Sequence, residues 1–448
     1  MIRVRSRLLG WCGLASLFAA LLPQTALAVP SFARQTGAPC AQCHTTAFGP
    51  ALTPFGMKFK LNGYVWGNES DLPPVAAMAL GSFTNTQAGQ DGGAAPHYSA
   101  NDNATIDQIS LFYAGRIYDK LGGFVQGTYD GVARHAAWDN LDIRYADTAK
   151  FGSNDVTYGV SLNNSPTVQD LWNSTPAWSF PYVGSPLAPG PAAAPLLEGG
   201  LAQTVAGLTA YAMFDDWVYT EVGAYRNLSM HLLKNLGAVD AESGNTAVIG
   251  PAPYWRLAIQ HSFGPNYVSA GTFGMAARLQ PGGDGSAGTD HLTDLGYDAT
   301  YQFNNGGSNS FNANLTYLHE LQNWSASYAL GDTGLASNQL NTLRANAGWV
   351  YQQTYSLSGG PFLIHGGTDP VLYGDSANGS PNSRGYIGQA EYIPFGKFGS
   401  WMGPNVNLRL GVQYTYYTQF DGSSSNYDGA GRSAHDNNTL YGFVWMAF

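Results

Sequence analysis

The stretch Val406-Asn-Leu-Arg-Leu-Gly-Val-Gln-Tyr-Thr-Tyr416 decides the fold of this chain, because large apolar residues alternate in it with small or polar ones. A repeat of two residues is the pattern of a β-strand whose two faces meet different surroundings. The same alternation runs through residues 108–117, 255–263 and 311–317. The chain is therefore predicted to consist of many amphipathic strands, each with one apolar and one polar face.

Three arginines, Arg116, Arg256 and Arg409, lie mid-strand on the polar face. A soluble β-sandwich, with a core face and a solvent face, also fits this pattern. Aromatic residues near strand ends, as at 217–219 and 414–417, favour a membrane barrel, because Tyr and Trp prefer the bilayer interface. In such a barrel the apolar face contacts lipid and the polar face lines a wet lumen.

Two further strands are assigned by the same rule. Trp217, Tyr219 and Tyr225 share one parity and are expected to face lipid, with Arg226 on the other face. The final stretch, residues 440–448, alternates to the last residue and ends on Phe. This ending resembles the closing strand of outer-membrane barrels.

The composition is consistent with a barrel. Charged residues make up only 11% of the chain and aromatic residues 13%, with 56 Gly and 27 Tyr. A soluble domain carries about a quarter charged residues. Longer polar inserts between the strands occur at residues 164–200, 227–252, 279–290, 325–340 and 366–384. The predicted fold is all-β: a transmembrane antiparallel β-barrel of about 16 strands.

The N-terminus has the three parts of an export signal. Arg3, Arg5 and Arg7 precede an apolar run at residues 8–22, and Ala26-Leu-Ala28 is a small-x-small cleavage site. Residues 1–28 are therefore predicted to be a signal peptide. Its removal takes three of the 20 basic residues and none of the 30 acidic ones, which leaves a net charge of −13. This balance, without a basic patch, excludes nucleic acid as a partner.

The stretch Cys40-Ala-Gln-Cys-His44 has the spacing of a c-type haem attachment motif. Each thiol would bind one vinyl group of the porphyrin, and His44 would be the proximal iron ligand. A redox dithiol and half a zinc site are the alternatives. The zinc site needs further ligands nearby, and the dithiol does not explain the histidine. The sequence predicts one covalent haem c, held by Cys40 and Cys43.

The chain thus divides into a haem-binding cytochrome c segment, residues 29–67, and a barrel, residues 68–448. Fewer than about 40 residues bury little core unaided, so the haem would supply much of the segment's apolar surface. The insert at 164–178 contains two Trp and two Pro. It is expected either to fold into the lumen or to form a surface loop, with a short helix beginning at Pro166.

The remaining haem contacts are candidates only. Met57, 13 residues after His44, is a candidate sixth ligand, and packing is its alternative role. Barrel histidines are weaker candidates: His261, His291, His319 and His365. Three basic residues are candidate partners for the haem propionates, with ordinary solvation as the alternative: Arg34, Lys58 and Lys60.

The N-terminal motifs resemble one known family. The matching residues are 30–37, Cys40, Cys43, His44, 55–56 and 59–64. They resemble the fused cytochrome c–porin family of bacterial outer membranes, known for outer-membrane Fe(II) oxidases. The resemblance implies an outer-membrane protein whose haem segment is periplasmic or inside the barrel. It also implies electron transfer from extracellular Fe(II) to a periplasmic c-type cytochrome or another soluble carrier.

Two alternatives stay open at this point. The first is a porin for small solutes with an accessory haem. The second is an electron conduit with a different donor or direction. Enzymatic activity, as an iron:cytochrome c oxidoreductase, follows only if iron is the donor.

Overall fold

The computed structural model describes residues 31–66, 73–239, 246–283, 285–402 and 406–448. The predicted signal peptide, residues 1–28, lies outside the described residues. Seventeen strands are present in the described part. In chain order they are β1 Val75–Thr86, β2 Asn103–Tyr118, β3 Leu121–Asp130, β4 His135–Phe151, β5 Asn154–Asn163, β6 Val205–Phe214, β7 Val218–Asn227, β8 Ala247–Val248, β9 Ala252–Phe263, β10 Asn266–Gln280, β11 Asp290–Asn305, β12 Asn309–Asn323, β13 Ser337–Tyr351, β14 Tyr355–Gly366, β15 Ser383–Tyr392, β16 Asn407–Gln419 and β17 Thr439–Ala447.

The strands close into a barrel. Each pairs antiparallel with its neighbour in the chain, and β17 returns to pair with β1, which also pairs with β2. The two-residue strand β8 pairs only with the end of β10, so β7 joins β9 directly. The described residues therefore form a closed ring of 16 strands, which confirms the predicted fold class and strand number. Closure leaves no unpaired edge, as a sheet in lipid requires.

The helices are short and lie in the N-terminal segment and in the loops, not in the wall of strands. They are α1 Ser31–Thr36, α2 Cys40–Cys43, α3 Pro54–Leu61, α4 Met230–Asn235 and α5 Ser325–Leu330. Among the described residues, no helix has the length and apolarity needed to cross a membrane.

Burial alternates along the strands as the sequence predicts. On β16, Arg409 and Gln413 are buried inside the barrel, whereas Val412 and Tyr414 are exposed on its outer face. Arg256 on β9 is also buried inside. The outer face is thus an apolar surface suited to lipid, and the inner face carries the polar side chains.

Strand β7 has the opposite orientation to the one predicted. Tyr219 and Tyr225 are completely buried inside the barrel, and Val218 and Val222 are the exposed residues. Trp217, which set the predicted parity, lies in the preceding turn. Tyrosine fits either face, because its ring is apolar and its hydroxyl is polar.

Turns and loops segregate to opposite ends of the barrel. Turns of two or three residues, such as 119–120 and 215–217, join most strands at one end, where the connection 393–406 is the longer exception, and most long loops lie at the other end. One long loop, residues 164–204, folds into the lumen, where Val168 and Leu171 are buried. The predicted helix at Pro166 is absent. Thr167 has φ +74°, a left-handed conformation that a right-handed helix excludes.

A buried ion cluster fixes this loop to the wall. Arg256 on β9 lies 3.1 Å from a carboxylate oxygen of Asp170 in the loop and 2.9 Å from one of Asp298 on β11. The hydroxyl of Ser174 donates to Asp298 at 2.6 Å, and its backbone N–H donates to Asp170 at 2.9 Å. The charges are paired and hydrogen-bonded, as buried charges must be.

Removing one charge from the cluster tests this attachment. Asp170→Asn should lower the free energy of unfolding by about 3 kcal/mol, since it leaves a buried guanidinium partly unpaired. Urea unfolding of the detergent-solubilised protein, followed by tryptophan fluorescence, measures the change. The matched control is Asp155→Asn, which removes an exposed pair with Lys150. Exposed pairs contribute little, so equal losses in the two variants would contradict the assigned role of Asp170.

Candidate functional site

The N-terminal segment, residues 31–66, lies inside the barrel. The hydroxyl of Tyr64 donates to Asp142 on β4 at 2.7 Å. Gln302 on β11 donates to the Leu52 carbonyl at 2.7 Å, and Asn407 on β16 donates to the Ala47 carbonyl at 2.6 Å. These three strands lie well apart around the ring. The segment is therefore held across the lumen from several sides.

The motif Cys40 to His44 begins with a single helical turn, α2. Residues three apart in a helix lie on one face, so Cys40 and Cys43 share a side. The backbone N–H of His44 donates to the Cys40 carbonyl at 2.8 Å, and the chain then becomes extended at φ −117°, ψ 140°. His44 forms a β-bridge with Leu52, which fixes the backbone after the motif.

Helix α3 packs tightly against this motif. Thr53 caps the helix by accepting from the Gly56 N–H, and the Thr53 N–H donates to the Cys43 carbonyl at 2.8 Å. A Cβ at position 56 would lie 2.3 Å from the Cys43 carbonyl oxygen. Only glycine permits this approach, which explains the residue at 56.

The motif opens onto a cavity of about 360 Å³ inside the barrel, lined by Cys40, Cys43 and His44. This volume falls within the roughly 300–1,000 Å³ of small-molecule and cofactor sites. The segment contributes Phe32, Phe48, Phe59 and Tyr64 to its walls, the barrel contributes Met78, Phe112, Phe124 and Trp445, and the inward loop contributes Trp178 and Tyr182. Nine aromatic residues thus line the cavity, together with polar side chains that include Gln108, Gln126 and Asp139.

The chemistry of the motif residues discriminates among the alternatives left open by the sequence. Burial raises the pKa of Cys43 to about 12, opposite to the lowered pKa of a redox dithiol. Within the described residues, no cluster of three or more His, Cys, Asp or Glu side chains could hold a metal ion. The two thiols are unbonded to each other.

His44 fits the role of an iron ligand. Burial lowers its pKa to about 4, so the imidazole is neutral near pH 7, the form that binds metals. Its buried Nδ1 has no hydrogen-bond partner among the described residues. Together with two thiols on one helical face and an aromatic cavity, this donor set fits a covalently attached haem.

Of the three basic residues predicted to pair with propionates, one lines the cavity. Lys60 is buried there, and its ammonium donates to the Val168 carbonyl and to Asn173 Oδ1, both at 2.8 Å. Burial lowers its pKa to about 7. Arg34 instead donates to the Val75 carbonyl at 2.7 Å, and Lys58 pairs with Asp216 on the surface at 2.9 Å.

The predicted sixth ligands are not brought to the cavity. Met57 does not line it, and packs in a separate cluster that includes Leu61, Leu171 and Trp172. None of the four barrel histidines lines the cavity either. His261, for example, stacks on Trp217 and Phe263 on the outer face.

The sequence interpretation missed the barrel's own contribution to the cavity. Four apolar residues face inward at positions where a water-filled barrel would carry polar residues: Met78, Phe112, Phe124 and Trp445. Phe112 lies between the inward-facing Ser110 and Ala114, so it interrupts the polar parity of its strand. Apolar residues at inward-facing positions are a signal that the sequence contains. In a single strand, however, they do not show that residues from different strands line the same cavity.

Enlarging Gly56 tests the packing of the motif against α3. Gly56→Ala should force the Cys43 carbonyl and α3 apart, at a cost of about 1–3 kcal/mol for overpacking. Hydrogen exchange should accelerate in residues 40–61 and remain unchanged in the barrel strands. Gly388→Ala is the control, since a Cβ there meets no atom within 4 Å. Unchanged exchange in Gly56→Ala would contradict the close contact.

Comparison with known proteins finds barrels. No protein-family model matches the chain, and no curated protein sequence matches it. Among solved structures, it is similar to in-vitro folded OmpT, an outer membrane protein of Vibrio cholerae, at 12% identity and TM-score 0.41, covering 85% of this chain and 99% of that one. It is also similar to Salmonella typhi OmpF in complex with daunomycin, at 14% identity and TM-score 0.47, with 84% and 97% covered. An anion-selective porin from Comamonas acidovorans matches at 12% identity and TM-score 0.45, with 84% and 99% covered. At these identities the likeness concerns the barrel fold alone.

Proposed function

We propose that this chain is an outer-membrane c-type cytochrome within a porin-like barrel, which conducts electrons from extracellular Fe(II) to a periplasmic c-type cytochrome. One observation carries the proposal: Cys40, Cys43 and His44 jointly line an aromatic cavity inside a closed barrel. The exposed apolar residues of the outer face, among them Leu111, Val222 and Leu257, support membrane insertion.

A bound haem supplies one-electron redox chemistry. The protein residues determine how it is held. Cys40 and Cys43 would attach the ring edge, and His44 would offer a neutral nitrogen. The aromatic walls would lower the local dielectric around the group and thereby affect its reduction potential. Lys60 places an amine at the wall, and a propionate carboxylate beside it would favour its charged form.

The location of the site supports electron transfer across the membrane. Each Fe(II) would lose one electron outside and become Fe(III), and the periplasmic cytochrome would gain that electron. Short turns face the periplasm in bacterial barrels. The segment contacts this end of the barrel, since the Ala41 N–H donates to the carbonyl of Gly396, in the connection between β15 and β16, at 2.9 Å. Oxidation outside the cell keeps insoluble ferric products out of the periplasm. The overall reaction is that of an iron:cytochrome c oxidoreductase.

Anaerobic stopped-flow spectroscopy on the purified full-length protein tests this function. Mixing with Fe(II) should reduce the haem, shown by growth of the reduced α-band. Reduction by dithionite but not by Fe(II) would reject iron as the donor and leave the haem assignment standing. An electron conduit with another donor would then be the better description.

The Cys43→Ser variant is the matched control. It should lose one of the two thioether bonds and stable haem attachment, so that no haem stain remains on a denaturing gel and no α-band grows. Cys12 lies within the predicted signal peptide and cannot compensate. Normal staining of Cys43→Ser would refute covalent attachment through this motif.

A porin for small solutes, with an accessory haem, is the second candidate. A polar recess adjoins the aromatic cavity and shares Asn173, Ser179 and Tyr182 with it. Its other walls include Asn314 and Arg344. The recess has a volume of about 20 Å³, enough for a water molecule.

Conductance in planar bilayers separates the two functions. The segment and the inward loop fill the lumen, so the electron conduit should show no steady ion conductance. Conductance of the full-length protein, persisting in Cys43→Ser, would favour the porin.

A further inference from the structure

A six-coordinate haem iron needs a second axial ligand besides His44. Only the side chains that line the cavity are available to supply it. The side chains that bind haem iron in proteins are His, Cys, Met and Tyr. Beyond the motif itself, the described residues that line the cavity include one methionine and two tyrosines: Met78, Tyr64 and Tyr182. Lys60 adds an amine.

Two of these groups are already engaged. The Tyr64 hydroxyl donates to the buried carboxylate of Asp142 at 2.7 Å. The Lys60 ammonium donates to the Val168 carbonyl and to Asn173, both at 2.8 Å. Binding iron would break these hydrogen bonds, and Asn173 Oδ1 would lose the donor that Lys60 supplies, which is costly in a buried site.

Tyr182 is a weaker candidate than Met78. A phenol must lose its proton to bind ferric iron well, and burial raises the pKa of Tyr182 to about 12. Tyr182 also lies in the inward loop, whereas Met78 lies on the barrel wall. Positions on strands hold a ligand more accurately than positions on loops.

Met78 has a thioether that can bind iron and a backbone that is fixed in the barrel wall. It is 6% exposed on β1, and its backbone pairs with Ser110 of β2 on one side and Ala447 of β17 on the other. A thioether forms only weak hydrogen bonds, so binding iron would leave no strong acceptor or donor unsatisfied. Its neighbours in the buried cluster, Phe112 and Trp445, also line the cavity.

We propose that Met78, supplied by the barrel wall, is the distal iron ligand opposite His44. This inference rests on the proposed covalent haem. The motif in the segment would then supply one axial ligand and the barrel the other, so that the complete redox site exists only when the segment is seated in the lumen. A His/Met pair raises the reduction potential, which suits an acceptor of electrons from iron.

Methionine ligation has a spectroscopic signature, a sulfur-to-iron charge-transfer band of the oxidised protein. The experiment compares full-length wild type with Met78→Leu, which keeps an apolar side chain of similar size, and with the matched control Met57→Leu. All three should retain haem stain on a denaturing gel. The band should be present in wild type and Met57→Leu and lost in Met78→Leu, whose reduction potential should fall.

The outcomes separate this inference from the function it rests on. Wild type without stained haem would refute the proposed function. Three outcomes would overturn Met78 as ligand. The wild type could stain for haem but lack the band, the band could be kept in Met78→Leu, or it could be lost only in Met57→Leu. Should Met78→Leu fail to assemble, Met78→His decides instead: a low-spin spectrum without the sulfur band supports the assignment, and a retained band rejects it.

Discussion

Closure of the hydrogen-bonded ring of strands is the constraint on which the rest of this structure depends. In lipid, every backbone N–H and C=O must find a partner within the protein, and pairing β17 with β1 removes the last free edge. Once the ring is closed, the alternation of side chains fixes two surfaces at once. The outer surface must be apolar because it contacts lipid, whereas lipid does not restrict which residues occupy the inner surface. All the chemistry of this chain is therefore placed in the lumen.

A lumen of 16 strands is too wide to be filled by the wall residues alone. Here it is filled by two insertions, the segment 31–66 from the short-turn end and the loop 164–204 from the other. Buried arginines attach them: Arg256 holds the loop through an ion pair with Asp170, and Arg144, paired with Asp142, donates a hydrogen bond to the Lys60 carbonyl at 3.3 Å. Such pairs add little net stability compared with apolar packing, but they are specific in geometry. This specificity suits an interior in which two chain segments must meet at one cavity.

Features that depend on a local sequence pattern could be predicted from the sequence. Features that depend on contacts between distant parts of the chain could not. Which face of β9, β12 and β16 points into the lumen could be predicted from the residues of each strand. The motif of Cys40, Cys43 and His44 could likewise be recognised from its spacing. The side of β7 could not, because tyrosines fit lipid and lumen equally well, and contacts from elsewhere in the chain, such as those of Tyr219 with Trp172 and Tyr211, favour the inside. Met57 is a candidate ligand by its nearness to His44 in sequence, and the structure packs it in a different cluster. Met78 lies farther along the chain, and only the closed ring brings it to the motif's cavity.

The position of the cavity along the barrel axis has a consequence for the proposed electron path. Its wall residues occur where strands meet the short turns: Met78 near the start of β1, Phe124 near the start of β3, and Trp445 near the end of β17. A periplasmic partner could thus approach this end directly. A donor outside the cell would instead be separated from the cavity by the inward loop, whose Trp178 and Tyr182 line the cavity. The loop, rather than the barrel wall, is then the medium that an incoming electron must cross. Its fixation by Asp170 and Arg256 would consequently affect electron entry as well as stability.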